Sequence, residues 1–128
     1  MTMYGDLLTH KGAFNNTAGV LKIGTAGDSG HVFANDDILI HSVQIGPDKT
    51  LTAPGAKHVT YADSPDDTTY TDRLAWPVVL GGTVSIEFPN PRRIPKGSTG
   101  RFTAAASGTA GDIIHVNVTY SRAHPKNP

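Results

Sequence analysis

The sequence predicts an all-β fold: a single antiparallel β-sandwich of jelly-roll or related Greek-key type, carrying an extended N-terminal arm. Three observations predict it. Apolar residues fall in short runs rich in β-branched side chains, several alternating with polar residues at period two. Those runs are punctuated by 14 Gly and 9 Pro with Asp and Asn beside them, the residues of tight turns. Strong helix formers are scarce, Glu87 being the one glutamate of the 128 residues. A chain of this length can bury one sufficient core without staples.

In chain order, residues 1–17 show no clean period. Tyr4, Leu7, Leu8 and Phe14 are scattered among Gly, Asp, Asn and Lys. They are expected to form the arm, with removal of 1–18 leaving a folded domain of little-changed stability. The sandwich is then expected over 18–123, with a loose tail over 124–128. Gly19–Ile23 reads as a short strand and Gly24–Gly30 as a loop. Asp37–Gly46 (DILIHSVQIG) reads as a strand covered on both faces, with Ile38 and Ile40 opposite Leu39, Val43 and Ile45. Lys57–Tyr61 is a shorter strand, and Ala62–Asp72 an acidic, Thr-rich loop. Leu74–Leu80 holds Trp76, and Pro77 places it at an edge or a bulge.

Val84, Ile86 and Phe88 alternate with Thr83, Ser85 and Glu87, so Thr83–Phe88 is a strand. Pro89–Gly97 (PNPRRIPKG) is expected to be an ordered loop. Gly100–Ala106 is a strand and Ser107–Gly111 a turn. In the last strand, Asp112–Arg122, the residues Ile114, Val116, Val118 and Tyr120 face inward. The count is about seven or eight strands, which two packed sheets accommodate best.

The chain has no cysteine, which excludes disulfides, thiolate metal sites and thiol nucleophiles. Met1–Asp6 has neither a basic nor an apolar region of a secretory signal, and no apolar run reaches membrane-spanning length. Net charge is zero but uneven. Residues 1–91 carry nine Asp and Glu87 against five bases. Residues 92–128 carry Arg92, Arg93, Lys96, Arg101, Arg122 and Lys126 against Asp112 alone. Halves of opposite sign suit complementary contact between subunits.

Catalytic constellations find little support. The six histidines, His10, His31, His41, His58, His115 and His124, include no pair two apart on a strand, the usual way a sheet offers two metal ligands. A site from His41, His58 and His115 would require neighbouring strands. Cupin enzymes need a paired His with a downstream Glu, and Gly30–Gly46 offers His31 and His41 too far apart, without glutamate. Asp63, Asp66, Asp67 and Asp72 lack calcium-loop spacing. No Gly-x-Ser-x-Gly elbow occurs. The expectation is no enzyme, no metal and no cofactor. For binding, Tyr61, Tyr70 and Trp76 bracket the acidic loop, where they would stack on a sugar or serve a core. Arg92 and Arg93 suit a protein interface better than nucleic acid, since aromatic interleaving is missing.

From Val84–Phe88 the chain runs into Ile94-Pro95-Lys96-Gly97, then a Gly- and Ala-rich hairpin at Ala104–Gly111, then Ile113–Tyr120. This succession resembles the decoration or cement proteins of tailed-phage virions, small β-sandwiches on the outside of capsids. The resemblance covers the C-terminal half and carries no diagnostic motif. It implies a non-enzymatic structural protein of the virion, made in the host cytoplasm. It further implies a homo-oligomer, often a trimer, that binds between major capsid subunits, with neither membrane nor direct nucleic-acid contact. Tyr4, Leu7, Leu8 and Phe14 of the arm, with Arg92 and Arg93, are the expected partner contacts. The alternative is a small carbohydrate- or ligand-binding sandwich module.

Overall fold

The computed structural model describes residues 2–4, 7–14, 19–47, 58–77, 83–104 and 114–125. Among them run nine strands: β1 (Thr2–Tyr4), β2 (Leu8–Phe14), β3 (Gly19–Gly24), β4 (Asp37–Pro47), β5 (His58–Ser64), β6 (Thr71–Pro77), β7 (Val84–Ile94), β8 (Thr99–Ala104) and β9 (Ile114–Pro125). One sheet is ordered β1-β9-β4-β7, with β2 beside β1 on the same flank of β9; the other is ordered β3-β8-β5-β6. The antiparallel pairs β2 with β9, β3 with β8, β4 with β7 and β5 with β6 nest inside one another. That nesting is the jelly roll, a long hairpin rolled into two facing sheets. The Gly81-Gly82 and Ser107–Gly111 turns and Ile113 lie outside the described residues.

The core lies between the sheets. Ile114, Val116, Val118 and Tyr120 of β9 are buried as their alternation predicts. They meet Leu21 and Ile23 of β3, Val59 and Tyr61 of β5, and Phe102 of β8. Tyr61 and Phe102 rings sit 5.0 Å apart, and Trp76 stacks on Phe102 at 6.3 Å. Val84, Ile86 and Phe88 are half-buried at the margin of this cluster.

Four expectations are corrected. First, residues 2–4 and 8–14 are not an arm: β1 and β2 are strands of the sandwich, registered from Leu8↔Tyr120 to Phe14↔Ile114. Their period was masked because the inward positions are Leu8, His10, Gly12 and Phe14, only two of them large and apolar. Gly12 belongs there because a Cβ would come within 2.8 Å of Leu21 Cδ1. Phe14 is 4% exposed and packs over Gly19, where no side chain would fit.

Second, Val43 and Ile45 of β4 do not share a face with Leu39 opposite Ile38 and Ile40. A bulge at His41, between Ile40↔Tyr120 and Ser42↔Thr119, resets the alternation. Ile38, Ile40, Val43 and Ile45 therefore all enter the core. Third, Pro89–Ile94 belongs to β7. Residues Phe88–Pro91 stand opposite His41 alone, between Glu87↔Ser42 and Arg92↔Ile40. The prolines are accommodated because β7 is an edge strand and leaves the ladder there. Fourth, β5 continues to Ser64 and β6 begins at Thr71, shortening the acidic loop, while β9 carries regular structure to Pro125 instead of fraying at His124.

Candidate partner-binding groove

Where both sheets end, at β6 and β7, the two edges part to leave an open groove of about 830 Å³. One wall is Asp63 and Pro65 from the end of β5 with Arg73 and Leu74 of β6. The other is Phe88, Asn90, Pro91, Arg92 and Arg93 of β7, closed by Pro95 and Ser98. The bulged stretch of β7 creates the opening by swinging away from β4. The Pro95–Ser98 turn is fixed by the Ser98 amide donating to the Pro95 carbonyl at 2.9 Å. Gly97, at φ 88°, supplies the left-handed residue this turn needs.

The charges are arranged unequally. Arg73 pairs with Asp63 at 3.1 Å, and Arg93 pairs with Asp37 at 3.1 Å. Asp37 also accepts the Lys96 amide at 2.8 Å, which ties the turn to β4. Arg92 has no carboxylate partner among the described residues; its guanidinium lies 5.9 Å from the centre of the Tyr61 ring. Tyr61 is 1% exposed, and its hydroxyl proton finds no acceptor. Burial raises the Tyr61 pKa above the ordinary value, Asp63 adds to this, and Arg92 and Arg73 oppose it. All three of those charged residues line the groove, and Arg92 links it to the buried Tyr61 ring.

The six expected contacts do not come together. Arg92 and Arg93 stand at the groove on the β7 edge, while β1 and β2 occupy the opposite flank of that sheet. Leu8 packs against the core and Phe14 is inside it, so neither is free for a partner. Leu7 is 66% exposed, and Tyr4 registers with Ala123, its side chain lying outside the described residues. From sequence, Asp63 was one acid of a loop without calcium spacing, Arg73 had no role, and Phe88 was one of the alternating apolar residues of a strand. The Pro-Asn-Pro interruption at 89–91 was the visible sign of a special edge.

The rings proposed for sugar stacking are otherwise engaged. Tyr61 is buried, Trp76 packs on Phe88 and Phe102, and Tyr70 lies under the Arg101 guanidinium at 3.8 Å while its hydroxyl donates to Asp67. The acids of the 65–70 loop are likewise committed. Asp66 accepts from Ser64 Oγ and from the Thr68 and Thr69 amides, which lower its pKa, and Asp67 pairs with Lys22 at 3.0 Å.

The histidines are dispersed. His41 lies on β4 and His115 on β9, whereas His58 is in the other sheet. His41 Nε2 bonds Ser121 Oγ at 2.7 Å. His10 and His31 stack at 3.7 Å; His10 pairs with Asp28 at 2.9 Å, and His31 Nδ1 pairs with the Tyr120 hydroxyl at 2.5 Å. A second, smaller concavity of about 510 Å³ lies on the outer face of the five-stranded sheet, over Lys11, Gln44 and Asn117. Among the described residues no helix is long and apolar enough to cross a membrane.

No family model matches the chain, and no curated protein does. Among solved structures the chain is similar to an empty head of Turnip Yellow Mosaic Virus, with a TM-score of 0.37 and 15% identity. The match spans 96% of this chain and 83% of that one. A similarity at that level decides nothing about function.

Proposed function

We propose that the chain is a non-enzymatic structural protein of a viral particle. In the finer form of this reading it is a phage decoration or cement protein, bound between major capsid subunits as a homo-oligomer. The observation that carries the proposal is the jelly-roll strand order, β2-β9-β4-β7 facing β3-β8-β5-β6. Viral capsid domains, lectins and cupins share that architecture, and the fold alone does not choose among them. The side chains do. A lectin reading needs exposed rings; Tyr61 and Trp76 are engaged in the core, and Tyr70 lies under the Arg101 guanidinium. A cupin reading needs converging histidines, and His41, His58 and His115 are divided between the sheets. What the molecule presents instead is an open groove between two edge strands with an arginine, Arg92, that has no carboxylate partner among the described residues, a feature suited to holding another protein.

The N-terminal segment supplies no argument for self-association as a free arm, because β2 is a strand of its own sheet and Phe14 is buried in its own core. Size-exclusion chromatography with light scattering, followed by co-sedimentation with assembled shells and with free shell subunits, tests the proposal. It predicts a symmetric oligomer that sediments with shells. A monomer that ignores shells, yet binds immobilised glycans, would overturn it.

A further inference from the structure

We infer that the groove between β6 and β7 binds a single carboxylate carried on an extended segment of a partner protein, with Arg92 as its direct contact and the Tyr61 hydroxyl reached when the Arg92 side chain, which lies over the Tyr61 ring, turns toward the ligand. This rests on the particle-binding reading, whose partner it describes chemically.

The charge count selects the ligand. Of the three arginines lining the groove, Arg73 is neutralised by Asp63 and Arg93 by Asp37. One positive charge, that of Arg92, is left without a carboxylate among the described residues. A single Asp or Glu side chain balances it. A nucleic-acid backbone presents a dense row of phosphates and calls for a basic run, which the two ion pairs here have consumed. The guanidinium fork suits a carboxylate, to which it can donate two parallel hydrogen bonds.

The second observation is independent of charge. Tyr61 is 1% exposed and its hydroxyl has no acceptor, an arrangement that folded proteins rarely leave in place. The residues whose charges act on that phenol are Asp63, Arg92 and Arg73, the charged lining of this groove. A carboxylate drawn down onto Arg92 brings an oxygen toward the hydroxyl, which then donates to it. Phe88, Leu74 and Pro91 form apolar walls for the stem of such a side chain. The prolines at 89 and 91 lack amide hydrogens, so an incoming strand cannot pair along that part of β7. The open edge of β6 remains for main-chain bonds, since β6 pairs only with β5 among the described strands.

The test is an NMR titration of the whole chain with the blocked peptide acetyl-Thr-Val-Glu-Val-Thr-amide and with its Gln counterpart, alongside a poly-dT oligonucleotide. The inference predicts saturable shifts at Arg92 and Tyr61 with the Glu peptide, and binding about tenfold or more weaker with the Gln peptide. Arg92→Gln should abolish the preference for Glu. Arg92→Lys should retain part of it, because the charge survives and the fork does not. Tyr61→Phe should weaken Glu-peptide binding several-fold while leaving thermal stability unchanged or raised, since it deletes an unsatisfied hydroxyl; a merely structural tyrosine would leave binding unmoved. Equal affinity for the two peptides, or tighter binding of the oligonucleotide, overturns the inference, and both comparisons use the wild-type chain. Shell co-sedimentation of wild type and Arg92→Gln separates the two proposals. Shell binding without discrimination between the peptides sinks this inference alone. Glu-selective binding without shell binding sinks the particle reading alone.

Discussion

Deleting His41 should be tolerated, although it removes a residue from the middle of a central strand. The bulge at His41 is what brings Ile38, Ile40, Val43 and Ile45 to one face. Without His41, Ile40 and Ser42 become neighbours, and the strand alternates inward and outward without interruption. All four apolar side chains keep their places. On the other side, Phe88–Pro91 has already left the ladder and can absorb the shift. The loss is the His41–Ser121 hydrogen bond at 2.7 Å, which leaves the hydroxyl of Ser121, 1% exposed, without a partner. That costs about 1–3 kcal/mol. Deleting Gln44 is different. If the bulge stays, Ile45 turns outward; if it straightens, Val43 turns outward and Ser42 turns in. Either way a fully buried side chain leaves the core, at about 2–5 kcal/mol for that residue before ladder bonds are counted. Urea unfolding followed by Trp76 fluorescence measures both, with His41→Ala as the reference for the lost bond. The expected order is His41→Ala and the His41 deletion within about 1 kcal/mol of each other, and the Gln44 deletion well below both. A His41 deletion as damaging as that of Gln44 would refute the account of the bulge.

Three further outcomes are expected. Val116→Ala, at a site 1% exposed between Gly12 and Ile45, should cost about 1–3 kcal/mol in the same assay; a negligible effect would mean the β9 register is wrong. A chain starting at Gly19 should be strongly destabilised, because it loses the β2 ladder and the buried Phe14; an unchanged thermal midpoint would restore the detachable arm. Burial and the facing His10 hold the His31 pKa below its ordinary 6.5, while Asp28 pulls it up. The unfolded chain therefore takes this proton first. Stability from His31 is complete above pH 6.5, falls as the pH drops below it, and levels off once the folded imidazole also protonates. Thermal midpoints between pH 8 and 5 should fall less steeply in His31→Gln than in wild type; an identical slope would contradict this.

How much of this was legible in the sequence depended on whether a strand's inward positions were apolar. β9 could be read directly, because Ile114, Val116, Val118 and Tyr120 fill every inward position. β2 could not, since His10 and Gly12 occupy inward positions for reasons that lie elsewhere in the chain: Asp28 and the His31 ring between β3 and β4 for one, Leu21 of β3 for the other. In β4 the residues were right and the faces wrong, because a bulge changes parity without altering composition. The groove was half visible. Arg92 and Arg93 stood out as adjacent bases, but which of them is free depends on Asp37, 56 residues from Arg93 in the chain. For Tyr61, beside an acidic loop, the sequence left a sugar-stacking and a core role both open, and the packing of the two sheets buries it.

The central claim, that this jelly roll docks on a particle through its β6–β7 side, is tested most directly by hydrogen exchange on the chain alone and bound to assembled shells. The account predicts co-sedimentation, with amide exchange slowed at Thr71–Pro77 and around Arg92–Ser98, while Lys11–Ala13 and Gln44 on the outer face of the other sheet exchange as before. Failure to bind shells would contradict it, and so would protection confined to β2 and that outer face.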